Sequence, residues 1–252
     1  MLSWKAYRMP IWILLVSLAW IVVAPVAEAQ ESPPPEEKPT KITADLAYIA
    51  TNGNTEVTTI TGGEKLEHRI TRWAFSEEAR AVWGETDGVE TAGRYDATVR
   101  GDYLLSERVS TFLMGVWRRN VFAGISRQFE EGGGVAWHAV MTKPHVLDLE
   151  AGGGLLQRRT TLDTNEEFPT ARVALLYQYY FAEKAYFEAR GAYLMGLEDS
   201  DDSQTEGRFA LIAPLGAAFS VKLGYDLYYR NEPLPGLEKL DTTFSAGLQF
   251  VR

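Results

Sequence analysis

From Lys41 to the C-terminus the chain alternates apolar and polar residues with a period of two, and this pattern constrains the fold more than any other feature. Successive side chains of a strand point to opposite faces, so alternation sustained over some 200 positions demands strands with two unlike surfaces. In one segment Tyr95, Ala97, Val99, Gly101 and Tyr103 share a face against Arg94, Asp96, Thr98, Arg100 and Asp102. In another, Phe219, Val221, Leu223, Tyr225, Leu227 and Tyr229 oppose Ser220, Lys222, Gly224, Asp226, Tyr228 and Arg230. One face suits lipid and the other water.

The alternation places strands at 41–50, 57–69, 73–85, 93–104, 108–119, 128–140, 145–158, 170–181, 185–197, 207–217, 219–230 and 241–250. Twelve is the expected count and ten the alternative. The fifth carries apolar residues on both faces, which leaves its register open. Connections alternate between tight turns (Thr71-Arg72, Leu105 to Glu107, Thr142 to Pro144, Ala182 to Lys184, Ala217-Ala218) and longer polar loops (51–56, 86–92, 120–127, 160–169, 198–206, 231–240). Short periplasmic turns, longer outer loops and an even strand number define a bacterial outer-membrane barrel. A tilted strand of about 11 residues also crosses the roughly 25 Å apolar band, whereas soluble sandwiches favour strands nearer 5–6 residues. Aromatic residues gather near the expected boundaries: Trp73, Tyr103, Tyr180, Phe181, Phe219 and Phe250 toward the turns, and Trp83, Tyr95, Trp117 and Tyr229 toward the loops. The fold class read from these features is all-β, an antiparallel transmembrane β-barrel with both termini periplasmic; a soluble secreted sandwich is the competing fold.

The N-terminus reads as an export address. Lys5 and Arg8 precede an apolar run, Ile11 to Val23, and Ala27-Glu28-Ala29 supplies a small-residue cleavage site, the three parts of a secretory signal peptide. The run is short for a membrane-spanning helix, which needs about 20 residues. The domain plan is therefore a signal peptide over 1–29, a Pro/Glu-rich periplasmic linker over 30–40 and a barrel over 41–252. The absence of cysteine excludes disulfides and zinc-cysteine sites. A net charge of -9 leaves no general basic surface for phosphates, which speaks against a nucleic-acid partner.

Particular turns then become recognisable: Thr51-Asn52-Gly53-Asn54-Thr55, Leu105-Ser106-Glu107-Arg108, Asn231-Glu232-Pro233-Leu234-Pro235-Gly236 and Lys239-Leu240-Asp241-Thr242-Thr243. In this order and spacing the chain resembles the YdiY-like family of salt-induced outer-membrane proteins, a domain of unknown function, from about Lys41 onward. The resemblance implies an outer-membrane location and a link to salt or envelope stress, and no reaction. Outer-membrane barrels usually end on a terminal aromatic read by the barrel-assembly machinery; here Phe250 is followed by Val251 and Arg252.

The lumen is expected to hold the charges of the polar faces: Arg80, Arg94, Asp96, Arg100, Asp102, Asp148, Glu150, Glu188, Arg190, Lys222, Asp226 and Arg230, with Lys65, Glu67 and Arg69 beside them. Because both signs interleave, they can neutralise one another, which favours a narrow or plugged lumen over a wide porin. Gly132 to Gly134 and Gly152 to Gly154 form one side-chain-free patch if Val140 faces Val146, a register that sets Gly133 opposite Gly153; barrel curvature or a dent for a lumenal group would use it. Asp199, Asp201, Asp202 and Glu206 form an acidic loop that lacks the order of a calcium-binding motif and would hold divalent cations weakly. The histidines, His68, His138 and His145, fall near turn ends, and none is followed two positions later by a serine. No enzyme, cofactor or metal site is expected. The reading is a non-enzymatic structural or stress-related barrel, in contact with outer-membrane lipid and its assembly machinery; a passive channel for ions or small solutes is the alternative.

Overall fold

The structure, a computed structural model, describes residues 39–51 and 57–252. The signal segment with Ala27 and Ala29, nearly all of the linker, and 52–56 of the first hairpin lie outside the described residues. Twelve strands run β1 (Thr40–Thr51), β2 (Val57–Ile70), β3 (Trp73–Thr86), β4 (Val89–Ser106), β5 (Val109–Asn120), β6 (Ile125–Thr142), β7 (His145–Thr160), β8 (Asn165–Tyr180), β9 (Tyr186–Gly196), β10 (Ser203–Pro214), β11 (Phe219–Arg230) and β12 (Leu240–Val251). Each pairs antiparallel with its sequence neighbours, and β1 pairs with β12 to close the ring. The closing seam pairs Thr43–Ala47 with Gly247–Val251, which removes the free strand edges there, as a sheet surrounded by hydrocarbon requires.

Period two becomes inside and outside. Large apolar residues on the outer face are highly exposed, among them Leu46, Val99, Leu113, Phe244 and Leu248. On the inner face Phe112, Ala136, Leu156, Leu194 and Ile212 are buried together with polar residues. Turn-side aromatics make the ring contacts of a girdle: Trp73 lies 4.9 Å from Tyr103, Tyr179 4.9 Å from Phe181 and Phe219 5.3 Å from Phe250, centroid to centroid. Tyr180, expected in that girdle, instead lies on the lumen face, where its hydroxyl donates to Gln178 and its ring stacks on Tyr186.

Several boundaries differ from the sequence expectation, and the reason is local. The loop read at 86–92 is a two-residue turn at Asp87 (φ 49°) and Gly88 (φ 78°), the left-handed pair that matches strand twist and lets a hairpin close tightly. β6, β8 and β10 begin at 125, 165 and 203 instead of 128, 170 and 207, because polar residues there pair with neighbouring strands beyond the lipid band. Thr40, read as linker, opens β1. Val251 and Arg252 belong to the seam: Val251 pairs with Thr43, and Ile42 and Arg252 exchange two backbone hydrogen bonds of 2.9 Å.

The glycine patch holds its register by an unexpected route. Gly133 faces Gly153, but Val140 faces Leu147 and not Val146, because a bulge at Ala139 absorbs one residue between turn and patch. A Cβ on Gly134, Gly152 or Gly154 would run into the backbone of the paired strand, so these strands curve more closely together than any side chain permits. Phe112 and Met114 border the small cavity left over the patch.

Candidate functional site in the barrel lumen

The lumen is bridged from wall to wall. Glu78 on β3 is the hub: it meets Arg190 on β9 at 3.5 Å and also pairs with Arg208 on β10. In a ring of twelve, β3 and β9 stand diametrically opposite. Arg80 reaches Asp226 on β11 at 2.8 Å. One level nearer the loops, Arg118 on β5 touches Asp96 on β4 at 2.6 Å and crosses the lumen to Glu206 on β10, also at 2.6 Å. Its side chain is 3% exposed, and its plane lies over the ring of Tyr228.

The remaining expected lumen charges fall into local pairs. Arg94 donates to Asp96, and Arg100 donates to both Asp102 and Glu150 while covering the Phe112 ring. Glu150 also meets Arg172 at 3.1 Å. Arg190 donates to Glu188 on its own strand, and Lys222 to Asp45 on β1. Arg230 lies 3.6 Å from Glu166, which also takes Arg158 at 2.9 Å. Lys65 donates to Glu67 near the turn end. Arg69 lies on the same inner face of β2, at its turn end.

Sequence reasoning missed the members that make the lattice continuous: Asp45, Glu78, Arg118, Glu130, Arg158, Arg172, Glu206 and Arg208. Glu78 shares parity with Arg80 and was legible from it. Arg118 was hidden by the double apolar character of β5. Glu206 and Asp202 were read as loop acids; Glu206 is instead a lumenal residue of β10, and Asp202 folds back to Arg158 at 3.3 Å. Two of the four carboxylates of the acidic loop are thus engaged by arginines, and among the described residues no cluster of three or more His, Cys, Asp or Glu is arranged to hold a metal ion.

The two ends of the lumen differ. At the loop end Ile125, Thr160, Gln128 and Tyr228 are each no more than 2% exposed. Three loops meet beside them: the 3-10 turn Val121–Ala123, the hairpin at 161–164 and the segment 231–239. Thr161 donates to the Gly124 carbonyl at 2.9 Å. Leu234 and Leu237 press on Gly124 so closely that a Cβ there would overlap them. Below this layer a cavity of about 320 Å³ occupies the middle of the lumen, walled by Glu78, Arg100, Glu130, Arg172 and Arg190 among others. Toward the turn end the charged side chains become partly exposed, with Lys65 at 25% and Glu67 at 30%.

Between the cavity and the turn end lies a group that no scan along the chain could find. Ser110, His138 and Asp148 come from three neighbouring strands, β5, β6 and β7. Ser110 Oγ is 3.3 Å from His138 Nε2, and His138 Nδ1 is 2.8 Å from Asp148 Oδ1. The histidine and aspartate are direct cross-strand partners. The sequence search sought a serine close in the chain, whereas the barrel supplies one 28 positions away.

Comparison with known proteins follows the architecture. Residues 44–251 match the model of a family described as protein of unknown function, DUF481. The chain belongs to this family. The match covers every strand of this DUF481 barrel, from within β1 to the end of β12. Among solved structures it is similar to the NanC porin, at 12% identity and a TM-score of 0.52 over 82% of this chain and 98% of that one. It is also similar to an outer-membrane channel from Pseudomonas putida F1, at 12% identity and a TM-score of 0.49 over 84% of this chain and 94% of that one. The first likeness shows a shared barrel fold, that of bacterial outer-membrane proteins. No curated protein matches the DUF481 chain in sequence.

Proposed function

We propose that this chain is an outer-membrane barrel closed to through-passage, with its turn end and both termini in the periplasm and its loop end outward. Its role in this reading is structural, in an envelope under salt or other stress, as the YdiY-like resemblance implies. The observation that carries the proposal is the diametric contact of Glu78 with Arg190 beneath a buried loop-end layer. A hydrated ion moving along the lumen would have to break paired charges that are each largely desolvated. Separating such a pair is far more costly than separating one in water. The barrel's lipid contacts and its handling by the assembly machinery belong to the same reading.

A passive channel is the second reading, favoured by the cavity of about 320 Å³, which is room for a small solute if the loop-end seal opens. Single-channel recording of the refolded barrel in a planar bilayer separates the two. The closed barrel gives no stable open steps at moderate voltage; reproducible unitary steps in the unmodified protein would overturn it.

A further inference from the structure

We propose that Ser110, His138 and Asp148 form an acyl-transfer site in the turn-end mouth of the lumen, acting as nucleophile, general base and positioning residue on a small carboxylic ester. The proposal goes beyond the closed-barrel reading and does not depend on it, since a site reached from the turn end needs no through-passage.

The geometry has the order that nucleophilic catalysis requires. A serine hydroxyl is inert at neutral pH unless an adjacent base takes its proton, and the base must be held in one tautomer by a third group. Asp148 at 2.8 Å from Nδ1 fixes the proton there, which leaves the Nε2 lone pair directed at Ser110 Oγ, 3.3 Å away. That distance is at the long end, as such contacts often are without substrate. All three residues stand on strands of a closed barrel, a stiffer support than loops. The bulge at Ala139 immediately follows the histidine, and bulges commonly re-aim a side chain beside a reactive site.

The surroundings set the substrate class. His138 and Asp148 are 27% and 23% exposed, so the base is reachable from the turn end, whereas Ser110 is buried at 2% against Ala136 on the neighbouring strand. The nucleophile is thus the most enclosed of the three, which favours a short acyl group over a long lipid chain.

The step balances without a further cofactor. Ser110 Oγ attacks the ester carbonyl carbon as its proton passes to His138 Nε2, and the imidazolium is stabilised by Asp148. The carbon–oxygen bond to the alcohol breaks, the alcohol leaves with the proton from Nε2, and the acyl group stays on Ser110. Water then attacks the acyl carbon, gives a proton to Nε2, and releases the carboxylic acid as Ser110 regains its hydrogen.

The test uses the full barrel refolded in detergent, with p-nitrophenyl acetate as substrate and a small fluorophosphonate as a covalent probe. The expected result is a single mass increment mapped to Ser110 and ester hydrolysis above the rate in buffer. Ser110→Ala abolishes both, whereas Ser76→Ala, a serine elsewhere on the inner face, retains them. Asp148→Asn lowers kcat at least tenfold with little change in KM and alters the pH profile of the residual rate, a signature that a purely structural contact would lack. Retained heat-dependent gel mobility in each variant confirms a folded barrel. Probe incorporation absent from Ser110, or hydrolysis equal in the unmodified protein and in Ser110→Ala, overturns the proposal.

Discussion

Arg118 shows how much one buried side chain carries in the lumen. Its guanidinium is shared between Asp96 and Glu206 and stacked near Tyr228, with a side chain 3% exposed. Replacing it by methionine keeps the volume but leaves two carboxylates in a buried site with Arg94 as the nearest cation. Removing one partner of a buried pair typically costs about 3–5 kcal/mol, and Arg118→Met is expected to lose about that much in urea unfolding from lipid vesicles. The double variant that adds Glu206→Gln restores neutrality, leaving Asp96 paired with Arg94, and recovers most of the loss; no recovery would mean that packing, and not charge, dominates. The glycine patch gives a second prediction of this kind. A Cβ at Gly154 would overlap the Glu131 carbonyl and the Gly132 backbone, while at Gly216 it meets nothing within 4 Å. Gly154→Ala is expected to destabilise by about 2 kcal/mol or more, visible as a lower transition in heat-dependent mobility, and Gly216→Ala to leave it unchanged. The face most charges occupy was legible from parity, with Arg118 on β5 and Glu206 on β10 as exceptions. Which charge it meets was not, because partners such as Glu78 and Arg208 lie 130 positions apart and depend on the barrel's diameter.

At the scale of elements, alternation carried most of the information, and turn chemistry carried the errors. Eleven of the expected strands had a clear phase; β5 did not, because it presents Phe112, Met114 and Val116 to the lumen where neighbouring strands present charge. That apolar inner face now has a reason, since it borders the glycine patch and packs beneath Arg100. The segment 231–239 was read as an open outer loop, yet it folds inward through Leu234 and Leu237 onto Gly124. Nothing in a proline- and glycine-bearing stretch reveals whether it extends into water or lies across a barrel mouth. If this segment is the seal, making it hydrophilic should release it. The double variant Leu234→Asp and Leu237→Asp removes the apolar contact without touching a strand. It is expected to pass from no stable conductance to brief, flickering open events in a planar bilayer, with the barrel's heat-dependent mobility retained. Silence from a folded double variant would place the barrier lower, in the Glu78 and Arg118 layers.

For the whole molecule, the outer belt is not uniform. Glu64, Glu77 and Glu131 stand on the outward face among apolar residues. The parity of their strands fixes this: Glu131 lies between the exposed Phe129 and Trp137 on β6, and Glu77 between Phe75 and Trp83 on β3. No ion pair joins any of the three to another described residue. The opposite side of the barrel, β8 to β12 with β1, presents Val173, Leu211, Leu223, Phe244, Leu248 and Leu46. A charge on the lipid face costs a few kcal/mol at the midplane and less toward the interfaces, with carboxylates at the lower end. Glu131→Leu should therefore stabilise the barrel by about 1 kcal/mol in vesicles of neutral lipid. Glu64 and Glu77 sit diagonally on adjacent strands, with Leu66 opposite Glu77 and Ala79 opposite Glu64. They are like charges within reach, so removing one relieves the other, and the gain of the double leucine variant should fall short of the sum of its singles. Glu131, three strands from β3, should add independently. Urea unfolding of the three single variants, the double and the triple measures every term. Loss of stability in Glu131→Leu would show that the carboxylate is satisfied at the membrane face and does not burden it.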